Sequence, residues 1–285
     1  MILVRAEAER SSNYVTENPD SSLIPDVNFY FNSLILNEIN IMTKKSIKII
    51  LNVFLLSVAF SGKSFSQIDS AAVAILDSMS SVVTSLESCS FELRTEYDIS
   101  NTRFGLVKHS DKSNVYLKAP DKFFIKREGD KGHKEFYYDG KTLYYYSADN
   151  NQYASMPAPP TIMETIDSIQ NEYGIEFPAS DIFYPDLVDE MLSNSDNLAY
   201  LGLTSADDKE CHHIAGTNNE FAYQIWISAD GSFLPVKMVI VYTGKAGSPQ
   251  YEALFRNWIL NPELQVSMFD FIVPAGAVKI KIIKK

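Results

Sequence analysis

The chain has 285 residues, of which 46% are hydrophobic and 21% charged, a composition that suffices for a packed globular core. Its formal net charge of −11 argues against binding to nucleic acid or electrostatic binding to anionic lipid head groups. Both of those partners require a basic surface.

The most distinctive N-terminal segment begins at Met42. Three lysines between residues 44 and 48 precede an apolar run from residue 49 to 60, and small residues follow at Ser64 and Ser66. This order is typical of a secretory signal peptide that is cleaved after Ser66. The run of about 12 apolar residues, interrupted by Asn52, is shorter than the roughly 20 residues of a membrane-spanning helix. We therefore predict a signal peptide at residues 42–66 and an exported protein that is soluble after cleavage, without a stable transmembrane anchor.

The signal peptide divides the rest of the chain into two parts. Residues 1–41 are acidic and rich in Asn and Ser, and they precede a signal that belongs at an N-terminus. We expect them to be a disordered extension from a mis-assigned start, with Met42 as the initiator. Residues 67–285 are predicted to form a single domain.

Both cysteines, Cys89 and Cys211, lie in the exported part. An oxidising compartment permits a disulfide between them, which would close a loop of about 120 residues and add about 4–5 kcal/mol of stability. The alternative is a pair of buried free thiols. Sequence leaves both open, because a bridge requires Cα atoms within about 7 Å of each other.

The first predicted element is a helix over residues 70–86, where apolar residues recur at helical spacing and Asp69 or Ser70 can cap the N-terminus. From residue 90 the hydrophobic period changes to two, which predicts antiparallel strands up to residue 156. Turn residues at 128–132 and at 138–141 predict two hairpins.

A second helix is predicted between Thr161 and Gly174. Thr161 and Glu164 form a capping box, apolar residues lie at positions 162, 166, 169 and 173, and Gly174 ends the helix. A short helix follows at residues 186–192. Further strands are predicted at residues 199–204, 210–215, 221–228, 234–243, 250–260 and 277–283.

One face of the strands at 221–228 and 234–243 is almost entirely apolar, so it must be buried. A sheet that curls beneath helices and a two-sheet sandwich both achieve this. Helices are predicted before the first strand and midway along the series of strands, and this placement favours the curled sheet. We predict the α+β class, with a single curved antiparallel β-sheet (a half-barrel) whose concave face is covered by helices.

Catalytic motifs are missing from the sequence: it has no nucleophile elbow, no His-Glu-x-x-His, no Cys-x-x-Cys and no dinucleotide fingerprint. His212 and His213 are adjacent on a predicted strand and point to opposite faces, so they cannot share a metal ion. Asp139, Asp181 and Asp186 lie in predicted turns and caps. We predict that the protein is not an enzyme and has no cofactor and no metal.

Aromatic residues, 17 Phe and 16 Tyr, are densest between residues 123 and 153. They indicate either cross-strand packing or an apolar cavity between sheet and helices that binds a lipid-like ligand.

An ordered series of motifs resembles a predicted periplasmic family, domain of unknown function 2092 (DUF2092). The motifs lie at residues 137–141, 153–160, 174–181, 211–215, 224–227, 234–237, 249–251, 258 and 269–276. The family is similar to the LolA-like lipoprotein carriers and receptors. This resemblance implies a periplasmic location and a half-barrel that holds acyl chains under a helical lid.

We therefore predict a periplasmic carrier for a hydrophobic small molecule or a lipoprotein acyl chain, with ligand entry by a shift of the helix at 161–173. The candidate lining residues are those on predicted apolar faces: Tyr145, Ile162, Ile166, Ile169, Tyr223, Ile225, Val236, Met238 and Ile240. Two alternatives are a sensor or interaction module that binds an envelope protein, and a hydrolase that acts on envelope material.

Overall fold

The structure is a computed structural model that describes residues 67–284. The predicted signal peptide and the predicted extension at residues 1–41 lie outside the described residues.

Three α-helices are present in this part of the chain: α1 (Ser70–Thr84), α2 (Ile162–Tyr173) and α3 (Leu187–Ser193). Short 3-10 turns lie at Ser180–Phe183 and Val266–Phe269. All three predicted helices are confirmed, although α1 ends two residues earlier than expected.

Helix α2 follows its predicted boundaries closely because its capping residues act as expected. The Thr161 hydroxyl accepts a hydrogen bond from the backbone N–H of Glu164 and donates one to the Glu164 carboxylate at 2.8 Å. Gly174 ends the helix with a φ of 67°, a left-handed conformation that glycine adopts without steric cost.

Thirteen strands of the described chain form one sheet. Their bounds are β1 Gln67–Ile68, β2 Ser88–Asn101, β3 Gly105–Lys118, β4 Lys122–Gly129, β5 Gly132–Tyr138, β6 Thr142–Ser147, β7 Gln152–Pro157, β8 Asn197–Ala206, β9 Lys209–Thr217, β10 Ala222–Ser228, β11 Pro235–Val241, β12 Gln250–Leu260 and β13 Val278–Lys279.

The sheet has the order β1-β8-β9-β10-β11-β12-β2-β3-β4-β5-β6-β7-β13. Two meanders, β2–β7 and β8–β12, therefore join through the antiparallel pair of β12 and β2. The sheet is curved and does not close, which confirms the predicted fold class. The two edge strands are exceptions to the antiparallel pattern: β1 pairs with β8 and β13 pairs with β7 in parallel. The predicted strand at 277–283 is shortened to the two residues of β13.

A main core lies between the helices and one face of the sheet, which we call the inner face. Leu76 and Met79 of α1 and Ile166 and Ile169 of α2 are buried in it, together with alternate residues of most strands. This alternation is what the period-two pattern predicted.

The opposite, outer face carries a row of aromatic rings that run across β3, β4 and β5. Phe271, from the segment after β12, packs against Tyr137, Tyr144 and Tyr153 at the end of this row. On the inner face, Phe123, Phe136 and Tyr138 pack near Phe177. The dense aromatic region therefore serves cross-strand packing on both faces.

Candidate functional site

The larger cavity of the inner face lies over strands β10 and β11. Tyr223 and Ile225 from β10 and Met238 and Ile240 from β11 form its floor, and it has a volume of about 90 Å³. These side chains point to the same face because strand residues alternate and because Tyr223 pairs with Ile240 and Ile225 with Met238.

Gly216 makes room for the Tyr223 ring in this floor. It lies opposite Tyr223 in the pairing of β9 with β10, and a methyl group at residue 216 would collide with the Tyr223 ring and hydroxyl. The absence of a side chain on β9 therefore allows the Tyr223 ring to lie across the sheet, where it faces the cavity.

The cavity is covered by residues 181–195, which include α3. We call this the cover segment. Polar contacts link it to the sheet and its turns: the Ser195 hydroxyl lies 2.9 Å from the Tyr223 hydroxyl of β10, and the Asn218 side chain donates to the Asn194 carbonyl at 2.7 Å. The Tyr184 hydroxyl donates to the Asp167 carboxylate of α2 at 2.8 Å.

A smaller cavity, of about 40 Å³, lies under α2. Ile162 and Ile166 of the helix and Val115 and Ile125 of the sheet contribute to its lining. The segment from Phe177 to Tyr184 separates the two cavities, because its residues line one cavity or the other.

Polar side chains interrupt the apolar inner face between the two cavities. Asp111 of β3, Arg127 of β4, Ser180 of the 3-10 turn and Tyr251 of β12 form this group, which we call the polar cluster. Tyr97 of β2 connects with it, since its hydroxyl donates to the Asp111 carboxylate at 3.2 Å.

The electrostatics of the polar cluster follow from its burial. Burial lowers the pKa of Arg127, and the charge of Asp111 opposes that shift. Burial and then Asp111 raise the pKa of Tyr97 to about 12, and burial and then Asp181 raise the pKa of Tyr251. Both tyrosines are therefore neutral hydrogen-bonding groups at neutral pH.

Sequence reasoning missed the polar cluster. Its signal was present in the alternation of β4, where Phe123, Ile125 and Arg127 share the inner face. A charged residue at such a position is rarely buried without a specific role.

The predicted lining residues separate into distinct groups. Tyr223, Ile225, Met238 and Ile240 line the larger cavity, whereas Ile162 and Ile166 line the smaller one. Ile169 is fully buried in the main core, and Tyr145 packs against that core beside Phe136.

Val236 is placed differently from its prediction. It belongs to a second, small cluster with Ala206 and Cys211, packed against Trp226. The pairing of β10 with β11 shifts between Trp226 and Ile227, so that Ile227 pairs with Pro235 and Val236 has no partner residue across the two strands. This β-bulge breaks the alternation on which the prediction depended.

The cover also differs from the prediction. We expected a ligand to enter by a shift of the second helix, but α2 lies over the smaller cavity. The larger cavity lies under the cover segment instead.

Cys89 and Cys211 are both buried and free. Cys89 lies on β2 and Cys211 on β9, and strands β10, β11 and β12 lie between them in the sheet. At about 4.8 Å per strand, this separation far exceeds the reach of a disulfide. The bridge is therefore not formed, and the structure has the alternative of two free thiols.

The histidines and Asp139 have local partners, whereas Asp186 precedes α3 without a side-chain capping hydrogen bond. His212 lies 3.1 Å from the Tyr200 hydroxyl, and His213 stacks on Trp226 on the outer face. Asp139 accepts backbone hydrogen bonds in its predicted turn, whereas Asp181 lines the larger cavity. Among residues 67–284, no three His, Cys, Asp or Glu side chains are grouped to hold a metal ion.

The open sheet and its helix-covered inner face define an α+β half-barrel. The sequence profile of the family described as "Predicted periplasmic protein (DUF2092)" matches residues 72–283. The chain belongs to this family, as its motifs predicted. No curated protein sequence matches the chain. Between Gln67 and Lys284, no helix combines the length and the apolar character that crossing a membrane requires.

Several solved structures are similar to this chain. An uncharacterized conserved protein from Thermus thermophilus is 13% identical, with a TM-score of 0.42 over 74% of this chain and 98% of that chain. Lipoprotein LppX from Mycobacterium tuberculosis is 18% identical, with a TM-score of 0.44 over 70% and 99%. A LolA superfamily protein from Nitrosomonas europaea is 10% identical, with a TM-score of 0.33 over 70% and 97%. At these identities the likeness concerns the fold alone.

Proposed function

We propose that this protein is a non-enzymatic periplasmic carrier that binds a hydrophobic ligand, such as a lipid or a lipoprotein acyl chain, in the larger cavity. The observation that carries the proposal is the apolar floor of that cavity, formed by Tyr223, Ile225, Met238 and Ile240 beneath the cover segment. A concave, mostly apolar pocket with a few polar groups is the usual form of a small-molecule site.

Burial of apolar surface would supply the affinity. Each methylene group that leaves water contributes roughly 0.8 kcal/mol, so a segment of about six methylenes contributes about 5 kcal/mol. Binding by burial of apolar surface involves no chemical reaction of the ligand. The family description, predicted periplasmic protein, supports the proposed location.

Binding of a long chain requires the cover segment to move. The cavity of about 90 Å³ is smaller than the apolar cavity of about 150 Å³ that admits benzene. The wall between the two cavities consists of residues of the cover and its N-terminal connection. Displacement of that wall would join the cavities into one channel that is apolar in the larger cavity and bordered by the polar cluster beyond it.

The test compares two tryptophan substitutions on the same strand. Met238→Trp fills the larger cavity, and we expect it to weaken binding of a fluorescent fatty acid at least tenfold, with an unchanged or higher melting temperature. Val239→Trp places the same ring on the outer face of β11 and serves as the matched control, with unchanged binding. Mass spectrometry of the purified wild-type protein should detect a co-purified lipid.

Two results would overturn the proposal. One is a wild-type protein that binds no fatty acid and carries no lipid, especially if crosslinking captures an envelope protein in its place. The other is full binding by Met238→Trp, since a filled cavity cannot accommodate the ligand.

A further inference from the structure

The polar cluster borders the larger cavity on the side of β12. Tyr251 pairs with Ile240, which forms part of the cavity floor. Arg127 and Ser180 line the smaller cavity. A ligand whose chain occupies the larger cavity would therefore bring one end against these polar side chains.

Four buried polar atoms of the cluster have no hydrogen-bond partner among the protein atoms of residues 67–284. They are Arg127 Nε, Asp111 Oδ1, Ser180 Oγ and the Tyr251 hydroxyl oxygen. Asp111, Ser180 and Tyr251 are only 9%, 7% and 8% exposed. Buried polar groups without partners are rare and costly, so this concentration at one place indicates an external partner.

The four side chains are neighbours: Arg127 interacts electrostatically with Asp111 and Tyr251, and it lines the smaller cavity together with Ser180. Asp111 is held by Tyr97 through its second carboxylate oxygen, at 3.2 Å. Arg127 donates through a terminal nitrogen to the Glu176 carbonyl at 3.2 Å. Ser113 lies directly opposite Arg127 and two residues from Asp111 on the same face of β3. In both Asp111 and Arg127, one side-chain atom is therefore hydrogen-bonded within the protein. Another atom of each group has no partner among the described protein atoms and can bind a ligand.

The available atoms select the chemistry of the partner. Arg127 Nε only donates a hydrogen bond and Asp111 Oδ1 only accepts one, whereas the two hydroxyls can do either. A carboxylate head group cannot donate to Asp111, and its charge would be repelled there. An ammonium cannot accept from Arg127, and its charge would be repelled by the guanidinium. A hydroxyl group can accept from Arg127 and donate to Asp111 at once.

We infer that the polar cluster is the head-group site of the proposed carrier and that it selects an uncharged, hydroxyl-bearing head, such as the glycerol of a monoacylglycerol. The acyl chain then extends into the larger cavity over Ile240. This inference rests on the proposed function and names its ligand class.

The experiment uses three ligands with the same twelve-carbon chain: 1-monolauroylglycerol, dodecanoate and dodecylamine. Each displaces the uncharged fluorescent probe N-phenyl-1-naphthylamine from the exported domain at pH 7. We expect the glyceride to displace the probe at an about tenfold lower concentration than either charged ligand, since two or more hydrogen bonds distinguish the heads. Dodecyl glucoside, tested alongside, distinguishes a sugar head from a glycerol head.

Two tyrosine variants make the test specific. Tyr251→Phe removes a hydroxyl that has no partner among the described protein atoms, so the fold is preserved and the glyceride preference should fall severalfold. Tyr146→Phe is the control, because its hydroxyl donates to Asn151 on the outer face and it lines neither cavity. It should leave the ratio between the three ligands unchanged.

The outcomes separate this inference from the proposed function. If the probe and all ligands fail to bind, the carrier function itself is wrong. If the probe binds and all heads compete equally, or if Tyr251→Phe keeps the full preference, the cluster holds ordered water only and the head-group inference is overturned.

Discussion

Asp69 links the first helix to the edge of the sheet. One carboxylate oxygen accepts the backbone N–H of Ala71 at 2.9 Å and caps α1, and the other accepts the N–H of Tyr200 on β8 at 3.1 Å. The hydrogen bond from Tyr200, and then that from Ala71, lower the pKa of Asp69 below its ordinary value. The charged carboxylate is therefore preferred in the folded state.

This preference predicts a pH dependence with a definite sign. A carboxyl whose pKa is lowered by folding stabilises the fold above its unfolded value near 4, and this contribution is lost as pH falls through and below that value. We expect the difference in melting temperature between wild type and Asp69→Asn to be largest at pH 6–7 and to shrink by pH 3. Thermal melts at each pH measure it. A difference in melting temperature that stays the same at every pH would show that Asp69 remains protonated or that its ionisation is not coupled to folding.

At the scale of single elements, the cover segment packs over the floor of the larger cavity. The hydrogen bond from Tyr184 to Asp167 links it directly to α2. Burial and then Asp167 raise the pKa of Tyr184, so this link stays a hydrogen bond at neutral pH.

We expect Tyr184→Phe to loosen the cover without unfolding the domain. The lost hydrogen bond is worth about 1 kcal/mol, which should increase amide hydrogen exchange in residues 181–195 about fivefold. Tyr146→Phe is the control, since it removes a comparable hydrogen bond to Asn151 on the outer face. If amide hydrogen exchange in residues 181–195 were equal in Tyr184→Phe and Tyr146→Phe, the hydrogen bond of Tyr184 would not specifically hold the cover segment.

The elements with local signals were predictable from sequence. Thr161 and Gly174 define α2 because capping depends on neighbouring residues, and the period of two identified the strands for the same reason. Features set by distant pairing were not predictable. The bulge that displaces Val236 arises from the register of β11 on β10, and the polar cluster with Arg127 forms only when β12, β2, β3 and β4 lie side by side.

At the scale of the whole molecule, the segment after β12 packs along the outer face of the sheet. The 3-10 turn Val266–Phe269 packs against β4, and Phe269 is fully buried. Phe271 packs on the aromatic row, and β13 then pairs with the edge strand β7. This segment therefore covers apolar surface that the sheet alone would leave exposed.

Two alanine substitutions test the importance of this segment. Phe269→Ala should lower the free energy of unfolding by about 3–5 kcal/mol, as for other buried phenylalanines. Ile272→Ala, three residues further on and 83% exposed, should change it by less than about 0.5 kcal/mol. Chemical denaturation measures both. Similar small effects would mean that the sheet is stable without its C-terminal segment.

Cys89 and Cys211 are buried and far apart, so the reactivity of their thiols indicates whether the native fold is intact. Burial raises the pKa of the Cys89 thiol to about 12 and also raises that of Cys211, so neither forms appreciable thiolate at neutral pH. Alkylating reagents can reach the sulfurs only when the strands come apart. The native chain needs no oxidative folding catalyst, and a crosslink between the two sulfurs would mark a molecule trapped in a non-native arrangement.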